Sequence, residues 1–317
     1  MKRIILLLLA LASIVWWGCS RKASPRKEAE LQNGEFTAVL NGFDISYVIH
    51  GKGPVCMVVP NSWGISREGL RVLFRPLEEH LTMVYFDPRG IGGSGEVRTD
   101  RDMSMAAVRE DLDALRTHLG LEKAHAIGWS NGAMNLLLFA AEHPEALSSA
   151  IVVHGIASYT EEDQKVVAEN HPDFVKKYGE FMAAMSQGGL SDEEKEARYR
   201  EFMTIVAFPS MLADPSRATE LLDPFFRDAG FSFRHAWYSE TVDAPDFDAR
   251  DELALISAPT LVIAGAHDML LPSKVEEVAK GITDSKFVVF EESGHFAPLE
   301  EPGKFVDVVL EFVRSGS

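Results

Sequence analysis

The most informative part of the chain is residues 124–132, which read AHAIGWSNG. The first residues of this segment are small or apolar, as in a strand buried on both faces of a sheet. The stretch Ala133–Ala141 that follows has the composition of a buried helix. The letters GWSNG match G-x-S-x-G, in which a serine lies on a sharp turn between a strand and a helix. We therefore expect Ser130 Oγ to stand above the carboxyl edge of a sheet as a nucleophile.

Strand and helix patterns alternate on both sides of this motif. The predicted strands are Phe36–Leu40, Ile45–His50, Val55–Val59, Met83–Phe86, Ala124–Gly128, Ala150–Val153, Thr260–Ala264 and Phe287–Phe290. The predicted helices are Arg67–His80, Met103–Leu119, Ala133–Ala141, Ser273–Gly281 and Gly303–Arg314. Alternation of this kind indicates an α/β fold with a mostly parallel sheet flanked by helices. The dipeptide Asn41-Gly42 predicts an antiparallel hairpin at its start.

The alternation stops after Ile156. Residues 157–250 are rich in Glu, Lys, Phe and Met and show no clear strand, and the sheet pattern resumes at Thr260. A helical cap inserted into the sheet domain explains this break. We predict an α/β core over residues 35–156 and 251–317 and a helical cap over residues 157–250. Because the insertion leaves from a strand end, it should cover the carboxyl edge of the sheet and exclude water there.

The N-terminus has the pattern of a secretion signal. Met1-Lys2-Arg3 precedes the apolar run Ile4–Trp17, which is shorter than the ~20 residues of a membrane-spanning helix. We predict a signal peptide over residues 1–18. Gly18-Cys19 resembles the end of a bacterial lipoprotein signal, which implies acylation of Cys19 and a lipid-anchored protein of the bacterial cell envelope, on its periplasmic or extracellular side. A plain cleaved signal and a retained membrane anchor are the alternatives. Residues 19–34 are polar and predict a flexible tether.

Two later strands are followed by an acid and a histidine. The strand at Thr260–Ala264 leads to Asp268, and the strand at Phe287–Phe290 leads to His295. The carboxyl ends of parallel strands share one edge, where catalytic groups gather. The chain order Ser, Asp, His is the order used by hydrolases with this elbow. These residues predict Ser130 as nucleophile, His295 as general base and acid, and Asp268 as the group that fixes the imidazole tautomer.

The groups around this predicted triad follow from the neighbouring loops. An oxyanion hole needs two N–H donors, and we predict the backbone N–H groups of Asn131 and of Ser62, which follows the strand Val55–Val59. Trp63, Trp129 and His154 are the candidate substrate-binding residues. Trp63 is expected to line the pocket or to pack against the cap. His154 follows a strand, but the sequence places no acid to orient it.

Composition excludes several other classes of function. The net charge of −17 and the absence of a long basic run argue against nucleic-acid binding. Two cysteines cannot form a disulfide framework or a cysteine-rich zinc site, and no metal or cofactor is predicted. Residues 90–95 read GIGGSG, but no helix opens directly after them as a dinucleotide site requires. The oligomeric state is not predicted.

The chain from about residue 36 to 314 resembles serine-dependent α/β-hydrolases with a helical cap. The loop DPRGIGGSG at residues 87–95, the elbow GWSNG, the length of the cap and the ending SGH at residues 293–295 are most similar to the prolyl aminopeptidase (proline iminopeptidase) branch. That branch carries HGGPG as its oxyanion loop, and residues 60–64 here read PNSWG. Its members hold the substrate's free amine with acidic cap residues. Glu240 and Asp243 are acids in this cap, but no motif assigns that role to either.

The predicted function is that of a serine hydrolase acting on a small ester, amide or short peptide through an acyl-enzyme. A prolyl aminopeptidase, which releases N-terminal proline, is the alternative within that class. An aminopeptidase needs an unpaired acid in its pocket, whereas an esterase favours an apolar pocket. A binding protein on an inactive hydrolase fold is the alternative from another class, and it would have lost a triad residue. None of Ser130, Asp268 and His295 is missing.

Overall fold

The computed structural model describes residues 31–245 and 247–315. The strands are β1 (Gly34–Leu40), β2 (Phe43–Gly51), β3 (Val55–Val59), β4 (Thr82–Phe86), β5 (Ala124–Trp129), β6 (Leu147–Val153), β7 (Thr260–Gly265) and β8 (Ser285–Phe290). They form an eight-stranded sheet in the order β1-β2-β4-β3-β5-β6-β7-β8. The pairs β1–β2 and β2–β4 are antiparallel and the others are parallel. This confirms the predicted mostly parallel α/β fold with an opening hairpin.

The opening hairpin turns where the sequence predicts it. Leu40 pairs with Phe43, so Asn41 and Gly42 form a two-residue turn, and both have positive φ, 50° and 82°. Asn and Gly tolerate this conformation, and the primed turns that need it match the twist of the two strands.

The helices cover both faces of the sheet. They are α1 (Arg67–Phe74), α2 (Met105–His118), α3 (Asn131–Glu142), α4 (Glu161–Asn170), α5 (Pro172–Ser186), α6 (Asp192–Phe202), α7 (Phe208–Ser210), α8 (Ala218–Asp228), α9 (Phe233–Tyr238), α10 (Pro272–Gly281), α11 (Ala297–Glu300) and α12 (Pro302–Ser315). Alternate residues of β3 enter two separate hydrophobic clusters, as the pleat of a strand requires. Met57 lies with Leu136 of α3 in one cluster, and Val58 lies with Leu70 of α1 and Val309 of α12 in the other.

One predicted helix ends earlier than expected. The apolar spacing predicts a helix over Arg67–His80, but α1 ends at Phe74 and a 3₁₀ turn follows at Arg75–Glu79. Pro76 is the physical reason, because proline lacks an N–H and its ring clashes with the preceding helical turn. Leu77 still reaches the core and is fully buried.

Between β6 and β7 the chain forms α4 to α9 and two π-helical turns, Met203–Ala207 and Ser239–Asp243. We call this helical segment the cap. It has no strand of its own among the described residues, and only the single bridges Ile65–Phe231 and Ser158–Asp248 give it β-type contacts. Phe208 and Phe225 from the cap are fully buried in the same hydrophobic cluster as α1 and α12. The cap is therefore fixed to the sheet domain by an apolar core.

The predicted signal peptide, Cys19 and most of the predicted tether lie outside the described residues. β1 begins at Gly34, the last residue assigned to the tether, because Gly34 already pairs with Ile49 of β2. Among the described residues, no helix combines the length and the apolar composition that crossing a membrane requires.

Candidate active site

Ser130 occupies a strained turn between β5 and α3. Its φ of 56° and ψ of −124° are rarely adopted by a residue with a side chain. A Cβ added to Gly128 would lie 2.4 Å from the carbonyl oxygen of Gly132, and one added to Gly132 would lie 2.5 Å from that of Val59. Both distances are below any real contact, so the two glycines of the motif are required for this turn. The local geometry agrees with the predicted elbow.

Asp268 follows β7 and collects three hydrogen bonds. Its Oδ2 accepts from Nδ1 of His295 and from Nδ1 of His154, both at 2.8 Å, and its Oδ1 accepts from the Leu270 N–H at 2.9 Å. Burial by itself would raise the pKa of this carboxyl. The charge interaction with His295 and the hydrogen bonds from both histidines outweigh burial and hold the pKa well below its usual range. Asp268 is therefore an ionised acceptor.

His295 is held between the cap and the elbow. Its backbone N–H donates to Met211 O of the cap at 2.8 Å, and its carbonyl accepts from Trp129 Nε1 at 2.7 Å. The indole ring of Trp129, the residue that precedes Ser130, lies 5.1 Å from the His295 imidazole between ring centroids. Gly265 has the same steric role here, since a Cβ on it would lie 2.0 Å from Gly294 O. The loops that carry Asp268 and His295 can approach each other because Gly265 has no side chain.

Glu300 fixes the loop that carries His295. One of its carboxylate oxygens accepts from the N–H groups of Gly294 and Phe296, at 2.9 and 3.1 Å, and the other accepts from the Ala213 N–H at 2.7 Å. Burial raises the pKa of Glu300, and these hydrogen bonds oppose that rise. Sequence reasoning missed this residue, because no motif marks an acid that binds only backbone groups.

His154 does not line the pocket that the sequence assigned to it. It is fully buried after β6, and an acid does orient it, since its Nδ1 is bonded to Asp268. No motif in the sequence predicts that acid. The parallel register provided the signal: Val153 pairs with Ile263, so the segments after β6 and β7 begin side by side. The structure brings His154 together with Asp268 and His295.

Trp129 is also beneath the site rather than in its wall. It is almost completely buried, and its ring packs against Phe208, Phe225 and Phe296. Its indole N–H is used by His295. Trp63, by contrast, is partly exposed and lines the cavity under the cap. Of the three candidate substrate-binding residues, Trp63 is the one that is partly exposed and lines this cavity.

The two predicted oxyanion donors differ in availability. Asn131 is the first residue of α3, where a backbone N–H has no partner within the helix. The Ser62 N–H, however, already donates to Oδ1 of the Asn131 side chain at 2.7 Å, and Ser62 Oγ is 3.0 Å from the same oxygen. This contact was not foreseen. Ser62 can serve an oxyanion only after the Asn131 carboxamide has turned away.

An apolar cavity lies under the cap next to these groups. Its lining is mostly aromatic and includes Trp63 of the loop after β3, Phe181 and Phe202 of the cap, and Met211, whose carbonyl accepts from the His295 N–H. Both π-helical turns contribute to it, through Met203, Ala207 and Glu240, and such turns are frequent at functional sites. Of the described residues Ser130, Asp268 and His295, none is among those that line the cavity, which reaches them only through the neighbouring Trp63 and Met211.

The two cap acids, Glu240 and Asp243, have different surroundings in the structure. Among the described residues that line the cavity, Glu240 is the one with a carboxylate, and it accepts a hydrogen bond from Tyr178 Oη at 2.7 Å. Burial raises the pKa of Glu240, and the Tyr178 hydrogen bond opposes that rise. Asp243 does not line the cavity, because its carboxylate accepts from the Met105 N–H at 2.8 Å at the start of α2.

One group of side chains in the described residues has donor atoms close enough to hold a metal ion. It consists of His154, Asp268 and His295, whose ligand atoms lie within 4.8 Å of one another. Each histidine instead directs Nδ1 to the same carboxylate oxygen at hydrogen-bond distance. The geometry is that of an acid orienting two imidazoles.

A sheet in this strand order, with a serine elbow after β5, is the scaffold on which hydrolases build a Ser-Asp-His site. The chain belongs to the alpha/beta hydrolase fold family, whose model matches residues 56–302. It is accordingly an α/β-hydrolase enzyme.

Similar proteins include several hydrolases. The chain is 25% identical over 246 residues to a proline iminopeptidase of Saccharolobus solfataricus, covering 74% of this chain and 76% of that one. It is 27% identical over 309 residues to a 2-hydroxy-6-oxononadienedioate/2-hydroxy-6-oxononatrienedioate hydrolase of Pseudomonas putida, covering 92% and 98%. A solved α/β-fold hydrolase from Bacillus anthracis superposes with a TM-score of 0.72 at 23% identity, covering 90% and 99%. These matches support the resemblance to prolyl aminopeptidases and establish the fold.

Proposed function

We propose that this enzyme is a serine hydrolase that cleaves a small ester or amide through an acyl-enzyme on Ser130. The observation that carries the proposal is the Asp268–His295 hydrogen bond of 2.8 Å, in which His295 also contacts Trp129, the residue that precedes Ser130. A buried acid that orients an imidazole next to a strained serine has the arrangement of a catalytic triad. The direct test is whether the hydroxyl of Ser130 is required for ester hydrolysis.

The chemistry follows from the positions of the donors. Because His295 Nδ1 donates to Asp268, its Nε2 is left to take the proton of Ser130 Oγ as that oxygen attacks the substrate carbonyl. The tetrahedral oxyanion would accept from the Asn131 N–H and, after the Asn131 carboxamide turns away, from the Ser62 N–H. His295 then gives the proton to the leaving group, and water hydrolyses the acyl-enzyme by the same steps. Asp268 stabilises the imidazolium in both halves.

The cavity under the cap provides the substrate preference in this proposal. Its walls are aromatic side chains and methionines, and Trp63 and Met211 connect it to the oxyanion loop and to His295. Burial of an apolar acyl or leaving group there is favourable by about 25 cal/mol per Å². The proposed substrates are therefore small esters or amides with one apolar group.

A prolyl aminopeptidase is the second candidate, and Glu240 is the observation that favours it. A carboxylate in an aromatic cavity is costly unless a cation pairs with it, and the protonated amine of an N-terminal proline is such a cation. Among the described residues that line the cavity, none is a lysine or arginine that could serve instead. The proline iminopeptidases among the relatives point to the same substrate class.

Glu240→Gln tests this second candidate. If Glu240 binds the substrate amine, proline p-nitroanilide turnover should fall about a hundredfold or more, because removing one partner of a buried ion pair is strongly unfavourable. Hydrolysis of p-nitrophenyl acetate, which has no amine, should remain within about threefold. Steady-state kcat/KM for both substrates gives the answer.

Asp243→Asn is the matched control, since Asp243 belongs to the same π-helical turn but binds the backbone of α2. It should affect both substrates alike. Equal losses on both substrates in Glu240→Gln, with a native melting temperature, would contradict the role of Glu240 in amine binding. If the enzyme hydrolyses esters well but does not cleave proline p-nitroanilide, the aminopeptidase candidate is wrong and the esterase proposal remains.

We also propose that the mature enzyme is anchored to a bacterial envelope membrane through acylated Cys19. The support is the sequence alone: a short apolar run that ends at Gly18-Cys19. Expression of the full chain with radiolabelled palmitate should label a membrane-bound species, and Cys19→Ala should lose the label and remain unprocessed. A wild-type enzyme that is released without acyl chains would contradict this proposal.

A further inference from the structure

Asp268 is shared between two histidines. Its Oδ2 receives Nδ1 of His295 and Nδ1 of His154, each at 2.8 Å, and the two imidazole rings are 5.0 Å apart between centroids. We infer that His154 is a positioning residue of the catalytic site, which shares the Asp268 carboxylate with His295 and so limits how strongly that carboxylate holds a proton on His295. This inference rests on the proposed triad.

The hydrogen bonds of His154 define its protonation state. Nδ1 must carry a proton, because an ionised carboxylate only accepts. Nε2 faces the Ala297 N–H at 3.4 Å, which needs a lone pair on that nitrogen. The ring is therefore neutral, with Nδ1 as donor and Nε2 as acceptor. Burial lowers the pKa of His154, the bond and charge of Asp268 oppose this, and the nearby His295 lowers it further.

The backbone at His154 shows that the surrounding structure holds this side chain in place. Its φ is 54°, which is uncommon for a residue with a side chain. The His154 N–H donates to Ile263 O of β7 at 2.8 Å. Gly155 packs so closely on α3 that a Cβ there would lie 2.7 Å from Ala133 Cβ. The backbone at and after His154 is thus held against β7 and α3, which fixes the position from which its side chain reaches Asp268.

The consequence for His295 follows from charge. A neutral donor on Oδ2 takes up part of the negative charge that Asp268 offers to the His295 imidazolium. Glu300 is the other acid that interacts with His295, but its carboxylate is bound to backbone N–H groups of the His295 loop. Removing the His154 donor should therefore leave more of the Asp268 charge to stabilise the His295 imidazolium. Since the neutral imidazole is the general base, the acid limb of kcat/KM should move to higher pH.

His154→Leu and His154→Asn form the test pair. Leucine has no donor, whereas asparagine can place its side-chain N–H near the position of Nδ1 and tolerates positive φ. The pH dependence of kcat/KM for p-nitrophenyl acetate is measured for both variants and the wild type. The acid limb of His154→Leu should move up by about half to one pH unit, and that of His154→Asn should stay near the wild type. A merely structural role would change kcat or the melting temperature without this pattern.

A second measurement does not depend on the folding of the leucine variant. With ¹⁵N-labelled histidine in the wild-type enzyme, His154→Asn identifies the His154 signals by their loss. These signals should show the neutral Nδ1–H tautomer at the pH where the enzyme is most active. A protonated His154 at that pH, an Nε2–H tautomer, or an unmoved acid limb in folded His154→Leu would overturn the inference.

The two proposals fail in different ways. If turnover does not need Ser130, the proposed function is wrong, and the tautomer of His154 can still be read by NMR. If turnover needs Ser130 and His295 but both His154 variants keep the wild-type acid limb, the triad stands and the positioning role of His154 is wrong.

Discussion

Ser130→Ala is expected to lower kcat for p-nitrophenyl esters by about three decades or more. The reason is that triad residues act as a unit, so loss of the nucleophile leaves only the contribution of binding and of the oxyanion donors. The elbow itself should survive, because its shape depends on Gly128 and Gly132, whose missing side chains prevent contacts of 2.4 and 2.5 Å. Steady-state kinetics and a thermal melt of the same preparation measure both expectations.

A fluorophosphonate probe identifies the nucleophile directly. The wild type should be labelled at Ser130, and Ser130→Ala should not be labelled. Ser149→Ala is the matched control: Ser149 is a buried serine of β6 that is bonded to His125, away from the site. That variant should be labelled and active. Labelling that persists in Ser130→Ala would show that the nucleophile lies elsewhere and would refute the proposed mechanism.

Much of the fold could be predicted because it depends on local patterns. β3 has the bounds that its apolar run predicts, and the Asn41-Gly42 turn has the positive φ values that these residues allow. The elbow could be predicted because close contacts require its two glycines, and glycines at these positions are visible in the sequence. Asp268 and His295 were found because both follow buried strands, and the ends of parallel strands meet at one edge.

The parts of the site that could not be predicted are contacts between side chains from different segments of the chain. The sequence shows that His154 follows a strand, but not that β6 and β7 are neighbours in register, which is what brings it to Asp268. The contact of the Asn131 side chain with the Ser62 N–H joins residues from two loops, and its formation depends on the rotamer of one amide. Such contacts are decided by tertiary packing, and the hydrophobic periodicity of the sequence does not predict them.

In the cap, too, the sequence does not show which side chains face the cavity. Its helical composition was visible, yet Glu240 and Asp243 are equivalent in the sequence, two acids three positions apart. The π-helical turn Ser239–Asp243 places Glu240 in the aromatic cavity and Asp243 at the start of α2. A one-residue expansion of a helical turn changes which side chain faces inward, and composition does not predict it.

Asp268→Asn is expected to cost about four decades in kcat/KM. The carboxylate receives donors on both oxygens: His154 and His295 on Oδ2 and the Leu270 N–H on Oδ1. A carboxamide has only one acceptor atom. With its oxygen at the Oδ2 position, its NH₂ faces the Leu270 N–H. With the NH₂ at that position, it faces two imidazole N–H groups and drives His295 into the tautomer that cannot take the serine proton.

Either orientation leaves a buried donor unpaired, at a cost of about 1–3 kcal/mol in the free energy of unfolding, and removes the negative charge that stabilises the imidazolium. The melting temperature should therefore fall together with activity. Asp307→Asn, at an exposed position of α12, should change neither. Retention of more than about a tenth of wild-type kcat/KM by folded Asp268→Asn would contradict the role of Asp268. Because three donors converge on this buried side chain, loss of its charge alone, without loss of size, should lower both activity and stability.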